Sequence, residues 1–347
     1  MITHEQYMQR CLTLAEKGAG STAPNPMVGA VLVHDGRIIG EGFHQQYGGP
    51  HAEVNCINSV KQDDAHLVSQ ATMYVSLEPC AHFGKTPPCA DLIVRKKIKK
   101  VVIGSLDPFS EVNGKGIDKL KSAGLEVIAG ILENECKELN RRFFTFHTRH
   151  RPYIILKWAQ TADEKTGTHG SERLMISNEY TNRLVHRWRS EEAAIMVGTN
   201  TALADNPELT TRLWEGASPV RIVVDMDLRL PASLKLFDKK TKTIVFNSVK
   251  HEEGESIFYY QVTRDVSLVH QVVHALYQLK IQSLMVEGGT RLLQSFIDEE
   301  MWDEARVITS KQLIAHNGLP APVLSNKKIT EEKDIHSDHI VYYRRVE

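Results

Sequence analysis

The chain has 347 residues, 41% hydrophobic and 24% charged, with a formal net charge of −1 at pH 7, and this length predicts two domains with ordinary hydrophobic cores. A net charge so close to zero gives no overall field that would recruit nucleic acid, and we recognise neither a signal peptide nor an apolar run long enough to span a membrane. Five cysteines do not make a disulfide framework, so we expect a cytoplasmic protein without nucleic-acid or membrane partners.

Strands and helices alternate in the first 146 residues. A capping-box pair, Thr3 and Gln6, predicts the start of the first helix, and Asp35-Gly36 is a typical two-residue hairpin turn. In chain order, the predicted elements are helix 3–18, strands 28–33 and 37–42, helix 51–59, strands 72–76 and 101–104, helix 116–123, strand 125–129 and helix 133–146. This alternation predicts a sheet between two layers of helices.

Two short stretches of this half carry side chains that bind metals. His51-Ala52-Glu53 opens the predicted helix 51–59, and Pro79-Cys80 follows the strand 72–76, with eight residues between Cys80 and Cys89. One histidine and two cysteines supply three zinc ligands and leave the fourth position open for water, as in catalytic zinc sites. We expect the Pro-Cys pair to open a helix, whose free N–H groups would favour the thiolate.

Zinc deaminases of nucleobases carry this combination of His-x-Glu, Pro-Cys and a further Cys. Each part alone is common, and cysteines often only fill a core, but the combination after a predicted strand favours a deaminase. At neutral pH zinc makes hydroxide available to attack the ring carbon that bears an exocyclic amine. Glu53 is placed to take the water proton and pass it to the departing ammonia.

Four motifs of this half resemble the deaminase half of the bifunctional deaminase/reductase family of riboflavin biosynthesis. They are Pro-Asn-Pro-Met-Val-Gly-Ala-Val at 24–31, His51-Ala52-Glu53, Leu77-Glu78-Pro79-Cys80 and Lys85-Thr86-Pro87-Pro88-Cys89. The resemblance covers nearly all of 1–145 and implies a cytidine-deaminase-like three-layer αβα domain. It implies that Glu53 is the proton shuttle and that zinc is bound by His51, Cys80 and Cys89. It also implies four substrate contacts: Asn25, His44, Lys85 and Thr86.

A polar, basic and proline-ended segment at 147–152 predicts the boundary between domains 1–146 and 151–347. The predicted elements that follow are strand 153–158, helix 178–189, strands 194–197, 220–225 and 243–246, helix 266–279, strand 283–286, helix 290–298 and strands 304–309 and 340–343. No Gly-x-Gly-x-x-Gly fingerprint is present. However, Glu287-Gly288-Gly289-Thr290 joins a strand to a helix, where backbone N–H groups can bind a phosphate.

The second half resembles the reductase half of the same family. The motifs are Lys157-Trp158-Ala159 with Asp163, Val-Gly-Thr-Asn-Thr at 197–201, Ala-Asp-Asn-Pro-Glu-Leu-Thr-Thr-Arg at 204–212, Val223-Val224-Asp225 and Val286-Glu287-Gly288-Gly289. The resemblance covers roughly residues 150–310 and implies a dihydrofolate-reductase-like αβ domain that uses NADPH. It implies substrate contacts by Arg189, Asp205, Leu209, Arg212 and Glu287. It implies cofactor contacts by Ala159, Thr201, Gly289, Thr290, Arg291, Leu292, Leu293, Gln294 and Ser295.

Four positions depart from the family pattern. This chain has Phe109 where the family usually has Asn, Glu164 where it has Gly, Arg173 where it has Ser and Met175 where it has Trp. The three later departures leave an alternative open, in which the chain is a monofunctional deaminase whose second domain only binds the product or holds an oligomer. A regulatory module with a structural zinc is the alternative from another class, and three ligands with a free glutamate speak against it.

The leading hypothesis is a bifunctional enzyme with a phosphorylated pyrimidine substrate. It deaminates 2,5-diamino-6-ribosylamino-4(3H)-pyrimidinone 5′-phosphate with zinc and then reduces the ribosyl side chain to ribityl with NADPH. Hydride transfer to the opened ribose suits this nicotinamide cofactor, and the guanidinium groups of Arg189 and Arg212 suit a phosphate. Because the reductase domains of the family pair, we expect a homodimer or a larger homo-oligomer.

Overall fold

The structure, a computed structural model, describes residues 3–83, 87–109, 112–168 and 174–346. The chain forms two compact units, Met1–His150 and Arg151–Glu347, which we call the first and the second unit. Within the described ranges, no helix is both long and apolar enough to cross a membrane.

The helices in the described part of the first unit are α1 (His4–Ala15), α2 (Ala52–Asn58), α3 (Cys89–Arg95), α4 (Lys115–Ser122), α5 (Glu133–Leu139) and α6 (Arg141–Arg149), and the strands are β1 (Gly29–His34), β2 (Arg37–Phe43), β3 (Thr72–Leu77), β4 (Lys100–Ser105) and β5 (Glu126–Ala129). These strands form a five-stranded sheet in the order β2-β1-β3-β4-β5, in which β3, β4 and β5 are parallel and β1 is antiparallel to both neighbours. Short 3₁₀ helices cover Glu16–Gly18 and Gln62–Gln70.

Alternate residues of the strands bury the two faces of this sheet against different helices. In β1, Val31 and Val33 belong to a buried cluster with α1 and α5, whereas Ala30 and Leu32 belong to a second cluster with α2, α3 and α4. This is the three-layer arrangement that the alternation of elements predicted.

Local signals explain the first helix and the first hairpin. The capping box of α1 is present, with the Thr3 N–H donating to Gln6 Oε1 at 2.9 Å. Asp35 and Gly36 both have positive φ, 48° and 77°, which is the conformation that a two-residue hairpin turn requires.

The structure corrects two expectations about the helices. The predicted helix 133–146 is divided between α5 and α6 at Asn140, because the Asn140 side chain bonds to both the N–H and the carbonyl oxygen of Met27, each at 2.8 Å. Cys80 does not open a helix. The described residues after it are not helical, and the helix begins instead at Cys89, directly after Pro88. A proline is favourable at a helix start because the N–H group that it lacks has no intrahelical partner there.

The helices in the described part of the second unit are α7 (Glu179–Glu191), α8 (Thr199–Asp205), α9 (Leu268–Gln278) and α10 (Thr290–Asp298), with a 3₁₀ helix at Lys235–Phe237. Its strands are β6 (Tyr153–Gln160), β7 (Lys165–Thr168), β8 (Ala194–Val197), β9 (Val220–Val224), β10 (Thr243–Asn247), β11 (Glu252–Glu253), β12 (Ile257–Gln261), β13 (Ser283–Val286), β14 (Glu304–Ser310), β15 (Gly318–Pro320), β16 (Lys327–Ile335) and β17 (Asp338–Arg345). They form a ten-stranded sheet in the order β11-β12-β10-β9-β8-β13-β6-β14-β17-β16 and a separate pair, β15-β7.

The central strands of this sheet are parallel, and antiparallel strands lie at its two edges. One buried cluster includes residues of α9 and α10, and another includes residues of α7 and α8. At the carboxyl edge of the parallel strands, β8 leads into α8 and neighbouring β13 leads into α10. Ligands of open α/β sheets bind at this edge.

Candidate functional site

The three predicted zinc ligands converge in the first unit. The ligand atoms of His51, Cys80 and Cys89 all lie within 4.8 Å of one another. The Nδ1 of His51 is 3.6 Å from the Cys80 Sγ and 3.4 Å from the Cys89 Sγ. A tetrahedral zinc ion with nitrogen at about 2.0 Å and sulfur at about 2.3 Å separates these two ligand types by about 3.5 Å. The donor set and its spacing therefore fit zinc.

Hydrogen bonds from α3 hold Cys80 in its loop. The Cys89 N–H donates to the Cys80 Sγ at 3.3 Å, and the Ala90 N–H donates to the Cys80 carbonyl oxygen at 3.1 Å. Hydrogen bonding to the side chains of Cys89 and His51 lowers the pKa of Cys80 below its ordinary value. The Cys80 side chain is thus prepared to act as a thiolate ligand.

Glu53 lies in the first turn of α2 and is 3% exposed. Burial raises the pKa of its carboxyl group to about 7, and the charge of Cys80 adds to this effect. Among the described residues, the group of possible metal ligands at this point consists of His51, Cys80 and Cys89, without Glu53. A buried carboxyl group beside the ligands, but outside their set, suits proton transfer.

Asn25 and His44 lie together beside the zinc site. The His44 Nδ1 is 3.0 Å from the Pro50 carbonyl oxygen, so Nδ1 carries the proton, and Nε2 then accepts from the Asn25 Nδ2 at 3.2 Å. The His44 ring also packs edge-on against the ring of His51, with 5.4 Å between the centroids. Both ring nitrogens of His44 are therefore engaged by the protein, and the Asn25 amide is oriented by His44.

Two other predicted substrate contacts, Lys85 and Thr86, lie outside the described residues. Phe109, where the family usually has Asn, packs against the rings of His82 and His147 at centroid distances of 5.9 and 5.1 Å. Its side chain thus forms part of an aromatic cluster in the first unit.

In the second unit, two of the predicted substrate residues bind each other. Arg189, on α7, donates through Nε and Nη2 to both carboxylate oxygens of Glu287, which follows β13, and the Arg189 Nη1 donates to the Thr210 carbonyl oxygen at 3.3 Å. Burial alone would raise the pKa of Glu287, but the charges of Arg189 and Lys157 lower it to about 2. Glu287 is therefore a carboxylate at neutral pH.

His186, one helical turn before Arg189, was not among the predicted site residues. Its Nδ1 accepts hydrogen bonds from the N–H groups of Arg212 and Leu213, at 3.1 and 3.4 Å. Burial and the charges of Arg189 and Arg212 lower the pKa of His186 to about 4. The spacing of three residues between His186 and Arg189 places both on one face of a helix, which is the signal that a reading of the sequence could have used.

The remaining predicted substrate residues lie at the end of α8 and in the segment between α8 and β9. Asp205 is half-buried as the last residue of α8, and Leu209 is buried in the core with a φ of 53°. The side chain of Arg212 is exposed, while its backbone is held by His186. The structure thus places an exposed guanidinium on a fixed backbone.

Most of the predicted cofactor residues lie at the turn between β13 and α10 or in α10 itself. Gly289 has a φ of 84°, and a side chain on Gly288 would lie 3.0 Å from the Thr201 methyl group. The positive φ favours glycine at position 289, and the close approach of Thr201 disfavours a side chain at position 288. Thr290 opens α10, and its hydroxyl group is 3.1 Å from that of Thr166.

The other predicted cofactor residues differ in their surroundings. Ala159 is half-buried in β6, Arg291 is exposed and Leu292 is half-buried. Leu293 is buried in the core, whereas the side chain of Gln294 bonds to Asp298 and the hydroxyl group of Ser295 donates to the Leu292 carbonyl oxygen. At this helix start, a phosphate would therefore be bound mainly by backbone N–H groups.

Of the departures in the second unit, Glu164 and Met175 are described and Arg173 is not. Glu164 has a φ of 59° in the turn between β6 and β7, which is the conformation that the usual glycine adopts easily. Met175 is 63% exposed, so no core packing depends on it.

Comparison with known families supports both units. Residues 1–105 match the family described as "Cytidine and deoxycytidylate deaminase zinc-binding region", and residues 152–314 match the "RibD C-terminal domain". The chain is 38% identical to "Riboflavin biosynthesis protein RibD" of Aquifex aeolicus over 98% of each protein. It is 38% identical to the protein of that name from Actinobacillus pleuropneumoniae over 93% of this chain and 87% of the relative.

Solved structures agree over the same length. A diaminohydroxyphosphoribosylaminopyrimidine deaminase/5-amino-6-(5-phosphoribosylamino)uracil reductase from Thermotoga maritima superposes with a TM-score of 0.88, at 39% identity and over 98% of each chain. RibD of Acinetobacter baumannii superposes with a TM-score of 0.89, at 30% identity and over 99% of each chain. These matches confirm the predicted fold class, a cytidine-deaminase-like αβα domain followed by a reductase domain, and the predicted zinc and NADPH dependence.

Proposed function

The chain belongs to the RibD family of riboflavin-biosynthesis proteins, and on that basis we propose how named residues of its two units carry out deamination and reduction. The protein is a bifunctional enzyme, a zinc-dependent deaminase and an NADPH-dependent reductase. Because both halves match over nearly their full length, the monofunctional alternative is not favoured. The observation that carries the function is the convergence of His51, Cys80 and Cys89 beside the buried carboxyl group of Glu53.

In the first unit, His51, Cys80 and Cys89 hold zinc, which supplies hydroxide near neutral pH when it is bound. The Glu53 carboxylate takes the proton of the attacking water and gives it to the amino group, which then leaves as ammonia. Its support is its position in the first turn of α2, two residues after His51 and outside the ligand set. Burial of Glu53 excludes bulk water as a competing proton donor.

The substrate of this unit is the phosphorylated 2,5-diamino-6-ribosylamino-4(3H)-pyrimidinone. Since the Asn25 Nδ2 donates to His44, the Asn25 Oδ1 is the atom left to accept from a donor of the pyrimidine or the ribose. The hydrogen bond to His44 fixes the orientation of the Asn25 amide, and the His44 ring itself lies beside His51. Lys85 and Thr86 complete the proposal as contacts of the 5′-phosphate, on the family resemblance.

In the second unit, Arg212 binds the substrate phosphate through its exposed guanidinium, for which bidentate pairing is favourable. Arg189 and Glu287 form the wall of the same site as a pair, and Asp205 and Leu209 border it. These assignments rest on the family resemblance and on the hydrogen bonds that join α7 to the segment 210–213.

NADPH supplies the hydride that reduces the ribosyl carbon. The start of α10, residues 289–292, provides backbone N–H groups that have no intrahelical partner for the cofactor phosphates, and the predicted cofactor contacts extend to residue 295. Thr201 lies against the preceding glycine turn, and Ala159 lies in the strand β6 beside β13. We assign these residues to the cofactor side of the site.

The proposal includes a cytoplasmic location, the absence of a nucleic-acid partner and a homodimer or larger assembly. None of the five cysteines forms a disulfide, which suits a reducing compartment. The net charge of −1 gives no basic field for nucleic acid. The assembly is proposed on the family resemblance, and sedimentation of the purified protein measures it.

Mass spectrometry of the products from zinc-loaded protein tests the function. Without NADPH, we expect the substrate to gain one water and lose one ammonia, a net exchange of NH for O. With NADPH, we expect the product to gain two further hydrogens. Absence of ammonia release contradicts the deaminase, and a product unchanged by NADPH contradicts the reductase.

A further inference from the structure

Glu78 belongs to the Leu-Glu-Pro-Cys motif, but it is neither a zinc ligand nor the residue that transfers the proton. It follows the last residue of β3 and lies two positions before the zinc ligand Cys80. Its side chain is buried, at 3% exposure. A buried carboxylate is costly unless hydrogen bonds stabilise its charge, so its partners indicate what it does.

Four backbone N–H groups donate to this one carboxylate. Oε2 accepts from Asp107 at 3.2 Å and from Gly114 at 3.0 Å, and Oε1 accepts from Gly116 at 2.9 Å and from Ile117 at 3.2 Å. Gly116 and Ile117 belong to the first turn of α4, where the helix dipole favours a negative charge. Hydrogen bonds to an ionised acceptor are about twice as strong as neutral ones.

These bonds connect the loop that carries Cys80 to the segment that follows β4. The Glu78 N–H also donates to the Ser105 carbonyl oxygen at 2.9 Å, at the end of β4. In addition, a Cβ atom on Gly116 would lie 2.0 Å from the Pro79 carbonyl oxygen. The first turn of α4 therefore sits directly against the peptide that precedes Cys80.

Contacts with two helices thus fix Cys80. Its sulfur and its carbonyl oxygen accept hydrogen bonds from Cys89 and Ala90 of α3. The backbone that precedes it is held against α4 by Glu78 and by the contact of Gly116 with Pro79. Because Cys80 lies in a loop and not in a helix, its position depends on these contacts and not on the hydrogen bonds of a regular element.

We propose that Glu78 is a positioning residue of the deaminase, whose carboxylate holds the Cys80 loop against α4 so that the Cys80 sulfur meets His51 and Cys89 at the distances zinc requires. The proposal rests on the zinc role of Cys80 in the proposed function. Groups that orient metal ligands typically contribute about 10- to 100-fold in metal affinity or activity.

The test measures zinc affinity of the full-length protein by competition with a chromogenic zinc chelator, for the wild type and for Glu78→Gln. The amide keeps the shape of the side chain, but its NH₂ group faces two of the four N–H donors, so buried donors lose their acceptor. We expect about 10- to 100-fold weaker zinc binding, together with faster hydrogen exchange of the Gly114, Gly116 and Ile117 amides. Reductase activity of the same chain should be unchanged.

A matched control separates positioning from loss of stability. Leu120, fully buried on α4, is replaced in Leu120→Ala, which destabilises the same helix without touching the carboxylate. We expect zinc affinity close to that of the wild type. Equal loss of zinc affinity in Leu120→Ala and Glu78→Gln would overturn the proposal.

Two further variants complete the experiment. Gly116→Ala pushes α4 away from Pro79 and should weaken zinc binding even if Glu78→Gln does not fold; wild-type affinity in Gly116→Ala contradicts the proposal. Cys80→Ser tests the underlying assignment. If Cys80→Ser binds zinc as the wild type does, the proposed function itself fails. If Cys80→Ser loses zinc while Glu78→Gln keeps it, the positioning role alone is wrong.

Discussion

The guanidinium of Arg189 binds the carboxylate of Glu287 side-on, with Nε 3.0 Å from Oε1 and Nη2 2.6 Å from Oε2. The two side chains are only 12% and 5% exposed. Removing one partner of such a pair leaves a buried charge without its counterion, which costs about 3–5 kcal/mol. Loss of either partner therefore destabilises the second unit, in which we propose that the pair also forms a wall of the reductase site.

Replacement of Glu287 should show both effects. We expect Glu287→Gln to lower the free energy of unfolding of the second unit and to reduce NADPH oxidation, while ammonia release by the first unit is unchanged. The four tryptophans all lie after residue 150, so their fluorescence in a urea titration reports the second unit selectively. Full reductase activity with wild-type stability would show that the pair has neither role.

Acidification should release the segment that His186 holds. Its pKa is lowered to about 4, below the ordinary value of about 6.5, so the folded protein favours the neutral ring. That contribution to stability is complete above pH about 6.5 and is lost as the pH falls toward 4, because the unfolded chain then binds a proton that the folded chain does not. The groups that face the ring are Arg189, Arg212 and Glu287.

His186→Gln checks this prediction, because the glutamine oxygen can accept from the Arg212 N–H but does not titrate. Tryptophan fluorescence in urea, repeated from pH 7 to pH 4, should show a steeper loss of stability in the wild type than in the variant. Parallel pH dependences of the two proteins would contradict the role of the ring.

Glu164 occupies a backbone conformation that glycine adopts more easily. With its φ of 59°, we expect Glu164→Gly to stabilise the second unit by up to about 1 kcal/mol. The neighbouring Lys165→Gly, in the strand β7, is the control and should destabilise it by about 0.5–1 kcal/mol. The same urea titration measures both, and a destabilised Glu164→Gly would show that the side chain itself contributes to the turn.

Glu53 should be separable from metal binding. Because its carboxyl group lies outside the set of ligands, we expect Glu53→Gln to retain one zinc ion per chain and to lose ammonia release by at least about 100-fold, the usual contribution of a general acid–base group. Zinc is measured by elemental analysis, and NADPH oxidation with the deaminated intermediate serves as the control. A variant that keeps zinc and turns over normally excludes the proposed role.

The sequence was sufficient for features that depend on local chemistry. The capping box at Thr3 and the hairpin at Asp35-Gly36 depend only on the residue types at those positions. The motifs at His51, Cys80 and Cys89 likewise predicted three side chains that the structure brings together. The break at Asn140 could not be predicted in this way, because it depends on Met27, which is remote in sequence. The prediction of a helix at Cys80 was wrong, because the helix after the long segment that separates the two cysteines begins at Cys89.

The same limit applies to the second unit. The motif around Glu287 predicted a substrate contact, but nothing local indicated that Glu287 pairs with Arg189, 98 positions away. His186 was missed for a related reason, because its partners are backbone N–H groups of a segment that only the fold brings to α7. The spacing of His186 and Arg189 places both on one face of α7, but it does not identify these backbone partners.

X-ray absorption spectroscopy at the zinc edge tests the central claim, the metal site in which His51, Cys80 and Cys89 meet, most directly. The full-length protein is predicted to show two sulfur ligands at about 2.3 Å and two nitrogen or oxygen ligands at about 2.0–2.1 Å, one from the imidazole and one from water. Four sulfur ligands, or a shell without sulfur, would contradict it.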